Sequence, residues 1–325
     1  MHTWLSLLHY DPLPPLLSSG DAALIHHARR ELLGEDVGPP ELLWGQKPVE
    51  KLLRRQQADG SWKYPGQRRP ELRQLEDYDQ IETYRSLGEL VEKYALTQAH
   101  PALRRAAEFL FSHQTDEGDF RGIYGRQYTP NYTAAIMELL TKAGYGEDPR
   151  IQHGFRWLLS ARQADGGWAI PLRTTGAKLD GATMLGPTLR TDPAKPFSHL
   201  ATGVVLRAFA AHPQYRTSNE AALAGNLLAS CLFQCDAYPD RGSPDFWTRF
   251  SFPFWFTDLL SALDSLSRLG IGREHPQVQR GLDWLADHQR TDGSWDLALL
   301  RTGRGKQVGL WVGLGICRVF RRLAG

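Results

Sequence analysis

Little in this sequence invites covalent cross-linking, membrane insertion or a strongly charged partner. Cysteine occurs three times in 325 residues, at Cys231, Cys235 and Cys317. No disulfide framework is visible among them, which fits a reducing compartment. No run approaches the roughly twenty apolar residues that a spanning helix needs. The opening Trp4-Leu5-Ser6-Leu7-Leu8 is short and lacks a basic leader, so a soluble cytoplasmic protein is the expectation. A formal net charge of +2 gives no reason to expect nucleic acid. Gly-x-Ser-x-Gly, a glycine-rich phosphate loop and a thioester signature are all missing, so no cofactor is expected. Paired strand signals are missing too, which leaves an all-α chain.

What the sequence does have is one pattern used several times. Arg280-Gly281-Leu282-Asp283-Trp284-Leu285 leads to His288-Gln289 and then to Asp292-Gly293-Ser294-Trp295. Leu282, Leu285 and Ala286 share one helical face. Asp292-Gly293 supplies a turn, because glycine enters the positive-φ region cheaply. Trp295 then returns a large apolar surface to the protein. The pattern recurs at Leu52-Leu53 with Gln57 and Trp62, at Phe109-Leu110 with Gln114 and Phe120, and at Trp157-Leu158 with Gln163 and Trp168. The aromatic positions are 58, 48 and 127 residues apart. The last gap has room for one more copy, and Gly225 with Gln234 occupies it with an eroded turn. Five units imply a repeat architecture.

Gln, a short spacer, Gly, one residue and an aromatic, set after an amphipathic helix, resembles the QW repeats of squalene–hopene cyclases. More loosely it is similar to the β subunits of protein prenyltransferases. The resemblance runs from about residue 48 to 320. It implies a single α/α barrel, or toroid, of about six helical hairpins, with the QW turns bracing outer helices and doing no chemistry. Residues 1–47 then form an N-terminal arm and first helix packed on the barrel, and 48–325 the barrel itself. Asp21 is the expected N-cap of that first helix. Outer helices should end at Gln57, Gln114, Gln163, Gln234 and Gln289. Inner helices should start near Asp79, Asn131, Phe197, Phe256 and Gln307, so that their N-termini surround one mouth. Residues 169–196 are the longest irregular stretch.

Chemistry is sought at that mouth. In Phe246-Trp247-Thr248-Arg249-Phe250-Ser251-Phe252-Pro253-Phe254-Trp255-Phe256, seven of eleven residues are aromatic. Aromatic faces stabilise carbocations; the same residues could equally pack the core in place of a missing plug. Asp258 follows the belt and heads the small polar face Ser261-Ala262-Ser265. Among aromatics its carboxyl would gain a raised pKa suited to proton donation, and its structural alternative is helix capping. A second acidic group is Glu76-Asp77-Tyr78-Asp79 with Glu82. Cyclases of the class that the chain resembles carry Asp-x-Asp-Asp-Thr at an inner-helix start, and this chain departs from it. Prenyltransferases of the resembling family hold zinc through Asp-x-Cys, whereas Cys235-Asp236 has the reverse order, so no metal is expected. Glu82, Glu138, His199 and Arg207 on inner helices argue either for pairing behind the ring or for a polar substrate.

The reading is an isoprenoid-handling protein, on the resemblance a protonation-initiated, class II-like terpene cyclase. Asp258, Glu82, Asp79 and His199 are the candidate catalytic residues. Trp247, Arg249, Phe250, Phe254, Trp255, Tyr132 and Trp311 would contact a small hydrophobic substrate, and peripheral membrane contact is compatible with such a ligand. One rival is a barrel enzyme that cleaves a polar substrate such as a glycan with Glu82 and Asp258 as paired carboxylates. Another is a non-catalytic lipid- or peptide-binding barrel. A dry aromatic lumen favours the first reading, facing carboxylates the second and a filled lumen the third.

Overall fold

The computed structural model describes residues 3–74, 77–300 and 305–324, and Glu76 falls outside them. Its long helices alternate between two rings. In chain order they are α1 (Ala22–His27, prolonged by a π-helical turn Ala28–Leu33), α2 (Lys47–Leu53), α3 (Asp77–Tyr94) and α4 (Pro101–Phe111). Next come α5 (Pro130–Leu140, prolonged by Thr141–Tyr145), α6 (Pro149–Ser160), α7 (His199–Ala211) and α8 (Asn219–Ser230). The last are α9 (Leu259–Arg268), α10 (Pro276–Asp287) and α11 (Gly305–Leu323). Each odd-numbered helix touches the next odd-numbered one, and α11 touches the Ala28–Leu33 turn, so the inner ring is closed. This is an α/α barrel.

Composition sorts the rings. Along α5 and α7 nearly every residue is buried, as a helix with neighbours on all sides requires. Outer helix α10 buries only Val278, Gly281, Leu282, Leu285 and Ala286. Proline opens α4, α5, α6 and α10, where its missing N–H would have had no helical partner. Capping moves two expected starts: Ser198 caps α7 and Asp258 caps α9, so those helices begin after Phe197 and Phe256. Asp21 caps α1 through the Ala23 and Leu24 N–H groups.

The repeated turns join each outer helix to the next. Gln114 Nε2 donates to the Gly118 carbonyl and to the Arg150 carbonyl at the start of α6, both at 2.8 Å. In the first repeat the same work falls to Gln56, not to the expected Gln57: its Nε2 reaches the Gly60 and Ala102 carbonyls at 2.9 and 2.8 Å. Gln57 instead donates to Ser61 Oγ. In the third repeat Arg162 Nε takes the Gly166 carbonyl, and Gln163 reaches the 192–195 loop. Trp62, Trp168 and Trp295 each donate an indole N–H to a carbonyl ten residues upstream. Among the described residues the Gln234 side chain binds only the Ser230 carbonyl of its own helix end, and Trp247 from the aromatic belt caps the Gln234 carbonyl at 2.8 Å.

The N-terminal segment is not a bare arm. It carries a 3-10 turn, Thr3–Leu7, and a short helix, Leu13–Leu17, that packs on α11 as an outer element. Residues 169–196 contain two short helices, Pro171–Thr174 and Gly181–Leu185. Arg249–Phe250 and Ala298–Leu299 form a two-residue parallel strand pair. No helix among the described residues is long and apolar enough to cross a membrane.

Candidate functional site

The inner ring gives the lumen two unlike halves. Toward the C-terminal ends of the inner helices it is ionic. Glu138 accepts from Arg207 Nε at 2.8 Å and from Lys142 Nζ at 2.7 Å, and Lys142 also reaches Glu92 at 2.6 Å. Arg318 pairs with Glu31 at 2.5 Å, and Asp264 binds Arg268 and Arg322. Burial alone would raise the Glu138 carboxyl, but Arg207 and Lys142 outweigh it and hold the pKa below the ordinary value. The expected polar residues Glu138 and Arg207 therefore pair with each other.

Toward the N-terminal mouth the lining is aromatic. Phe252 stacks on Trp311 with ring centroids 5.2 Å apart, and Trp255 leans on Tyr84 at 5.2 Å. Arg85 lies over the Trp255 ring at 4.8 Å. Pro253 covers Gly88, where a Cβ would stand 3.6 Å from its ring. The belt thus packs against α3 and α11 at the mouth. Phe250 is fully buried and Phe254 half-buried against Phe252. Tyr132 is half-buried beside Tyr124. The Trp311 indole also donates to Asp21 at 3.0 Å, which ties α11 to α1.

Asp258 sits at this mouth as a cap and as something more. Oδ1 accepts the Ser261 N–H at 2.8 Å, and the Ser261 hydroxyl accepts the Asp258 N–H in return. Oδ2 is buried without a hydrogen-bond partner. Burial lifts the carboxyl to about 6, against the pull of the Ser261 hydrogen bonds. A carboxyl with one free, buried oxygen can hold and deliver a proton near neutral pH.

Next to it is a pocket with room for about one water, lined by His199, Arg241, Ser243, Phe246, Trp247 and Thr257. It brings together the expected His199 and Trp247. Burial lowers the His199 pKa, with Asp236 opposing, so the imidazole is held toward its neutral form. Arg241, unremarked in the sequence, lies between the Phe246 and Phe256 rings at 4.3 and 4.6 Å. Its signal was a basic residue just ahead of the belt in a loop that no repeat explains. Arg249 is exposed at the rim, 5.3 Å from the Phe246 ring.

Asp79 and Glu82 are occupied otherwise. Asp79 accepts the Tyr64 N–H at 2.7 Å and Arg68 at 2.6 Å. Glu82 faces Arg85 at 3.6 Å. Thr83 accepts the Trp62 N–H, as Thr133 and Thr202 accept those of Phe120 and Trp168. Set beside Asp-x-Asp-Asp-Thr, the five residues that end at Thr83 read Asp79-Gln80-Ile81-Glu82-Thr83. The first carboxylate and the threonine are kept, Glu82 stands for the last carboxylate, and Ile81 takes the place of the one between. No group of three or more His, Cys, Asp or Glu is placed to hold a metal among the described residues.

Residues 70–175, which include this segment, match the family model of the squalene-hopene cyclase C-terminal domain. Over that third of its length the chain is similar to that domain. No curated protein sequence matches it. Solved structures of related shape include a protein from Actinoplanes at 17% identity, covering 88% of each chain with a TM-score of 0.42. A polysaccharide lyase shares 14% identity over 93% of this chain and 89% of its own, with a TM-score of 0.47. A variant of the type II terpene cyclase MstE from Scytonema shares 13% over 99% of this chain and 87% of its own, with a TM-score of 0.46. Similarity at that level carries no weight for the chemistry.

Proposed function

We propose that the chain handles an isoprenoid at the N-terminal mouth and that Asp258 starts its cyclisation by proton transfer. The observation that carries this reading is Asp258 Oδ2, buried and unpartnered on a carboxyl lifted to about 6. Its proton would pass to one carbon of a substrate alkene, forming a C–H bond and leaving a carbocation on the other carbon. The faces of Trp255 and Tyr84 offer π-density to such a cation. Loss of a proton from the cyclised cation restores neutrality and the acid. Glu82 with Asp258, the pair required for a glycan enzyme, is supported less well, because Glu82 faces Arg85.

A binding barrel without turnover is the second reading. Ile81 in place of an acid-motif carboxylate and the belt packed at the mouth favour it.

The test incubates wild type and Asp258→Asn with squalene and shorter polyprenyl substrates and follows products and melting together. Asparagine keeps the cap and removes the acid, so turnover should drop by about 100-fold or more. Cyclisation that survives the exchange unchanged would end the role of Asp258. An inert wild type would leave the binding reading.

A further inference from the structure

Arg241 is a buried cation that makes no ion pair among the described residues. It is 8% exposed, and its Nη1 is buried without a hydrogen-bond partner. Three carboxylates, Asp258 foremost, lie within its field, and among the described residues none stands within ion-pair distance of it. Asp236 accepts from Ser198 Oγ, the Leu200 N–H and the Tyr238 N–H at 2.9, 3.0 and 3.2 Å. Asp240 is held by two bonds from Arg173. Asp258 accepts the Ser261 N–H. The guanidinium is instead flanked by the rings of Phe246 and Phe256, which leave its N–H groups at the edge.

The surroundings are set for negative charge. The pocket lies where α7 and α9 begin, at His199 and just after Thr257, and helix N-termini favour anions. Arg249, also near the Phe246 ring, adds a second positive charge at the rim. The Ser243 hydroxyl and the His199 ring supply neutral polar contacts. A water in the pocket could take up the orphan N–H, but it would leave the charge unbalanced. An oxyanion does both.

We infer that Arg241, with Arg249 at the rim, receives the oxyanion head group, phosphate or carboxylate, of an amphipathic ligand. The hydrocarbon tail would lie along the Phe246–Trp247 side, toward the belt. The inference rests on the isoprenoid reading for the tail alone, since the head-group site stands on Arg241 itself. The pocket holds about one water as it is, so only the leading oxygen enters and the rest of the head stays at the rim with Arg249.

Calorimetric titration tests this with geranylgeranyl diphosphate, geranylgeranoic acid and geranylgeraniol against wild type, Arg241→Gln and Arg241→Lys. The two anions should bind wild type more tightly than the alcohol. Arg241→Gln should weaken both by about ten- to a hundredfold, the range for a hydrogen bond to a charged group, and leave the alcohol unchanged. Arg241→Lys should recover part of the loss. Without ligand, Arg241→Gln should melt no lower than wild type, because it removes an unbalanced buried charge. A preference for diphosphate over carboxylate identifies the source of the oxyanion and supports the site. Equal affinity of all three ligands for wild type would overturn the inference, and so would unchanged anion binding in a folded Arg241→Gln. Anion binding at Arg241 without product formation would leave this site standing while the cyclase reading failed.

Discussion

Gln289 and Tyr10, 279 residues apart, exchange two hydrogen bonds: the Tyr10 N–H donates to Gln289 Oε1 at 2.9 Å, and Gln289 Nε2 donates to the Tyr10 carbonyl at 2.8 Å. Gln289 also reaches the Gly293 carbonyl at 3.1 Å. Gly293 has a φ of +83°, and a Cβ there would collide with the Asp11 carbonyl. The contact repeats what Gln56 does for α4 and Gln114 for α6, with the N-terminal segment as the acceptor. Gln289→Ala should cost about 1–3 kcal/mol, as buried groups left unpaired do. Gln57→Ala, which gives up one bond to Ser61 Oγ, should cost less. Urea denaturation of both variants decides it, and a Gln57→Ala loss as large as that of Gln289→Ala would contradict the assignment of the clamp.

The aromatic plugs differ in burial, so their truncations should differ in cost. Trp168 is fully buried and Trp295 half-buried. Trp168→Ala should lose about 3–5 kcal/mol, in line with large aromatic truncations in cores. Trp295→Ala should lose less. Thermal melts should show this order, and the reverse order would be evidence against the packing described.

Removing one member of the ionic half leaves its partners uncompensated. Glu138→Gln takes the negative charge from between Arg207 and Lys142. A loss of about 3–5 kcal/mol is expected, the size found when a buried pair is broken from one side. The double change Glu138→Leu with Arg207→Leu should cost less than Glu138→Gln alone. A double variant less stable than the single would refute the pairing.

Asp258 makes stability depend on pH in a stated direction. Its folded pKa of about 6 exceeds the ordinary 3.8, so the folded state holds the proton more tightly than the unfolded chain. That contribution is fully present below about pH 4, fades as pH rises to 6, and is gone above it. The change amounts to about 3 kcal/mol. Asp258→Asn has no such titration, so its melting temperature should gain on wild type between pH 4 and 7. Parallel melting profiles across that range would count against the raised pKa.

The barrel was legible because helix period, proline starts and repeated glycine–aromatic turns are local signals that tertiary packing did not override. Gln56 and Gln57 show where that stops. Both residues fit the pattern, and only the direction of each side chain off the helix end separates them. The second acidic group offers several carboxylates in a row, and only their neighbours in space show that Asp79 is held by Tyr64 and Arg68 while Glu82 faces Arg85. Arg241 had only its place ahead of the belt to mark it, since being unpaired is a property of three-dimensional neighbours. Asp258 stood out because its aromatic flank and its capping position are adjacent in the chain.

The Gln289 clasp also bears on how the ring is assembled. Synthesis delivers Tyr10 long before Gln289, and α11 takes outer cover from the Thr3–Leu7 turn and the Leu13–Leu17 helix. During translation the Tyr10 segment therefore waits, unpaired, for α10 and α11. The inner helices can pack progressively as they emerge, but closure must follow the emergence of α11, and that long loop slows it. Until then the apolar face of α1 stays uncovered at the seam, which makes the unfinished ring the form most exposed to aggregation.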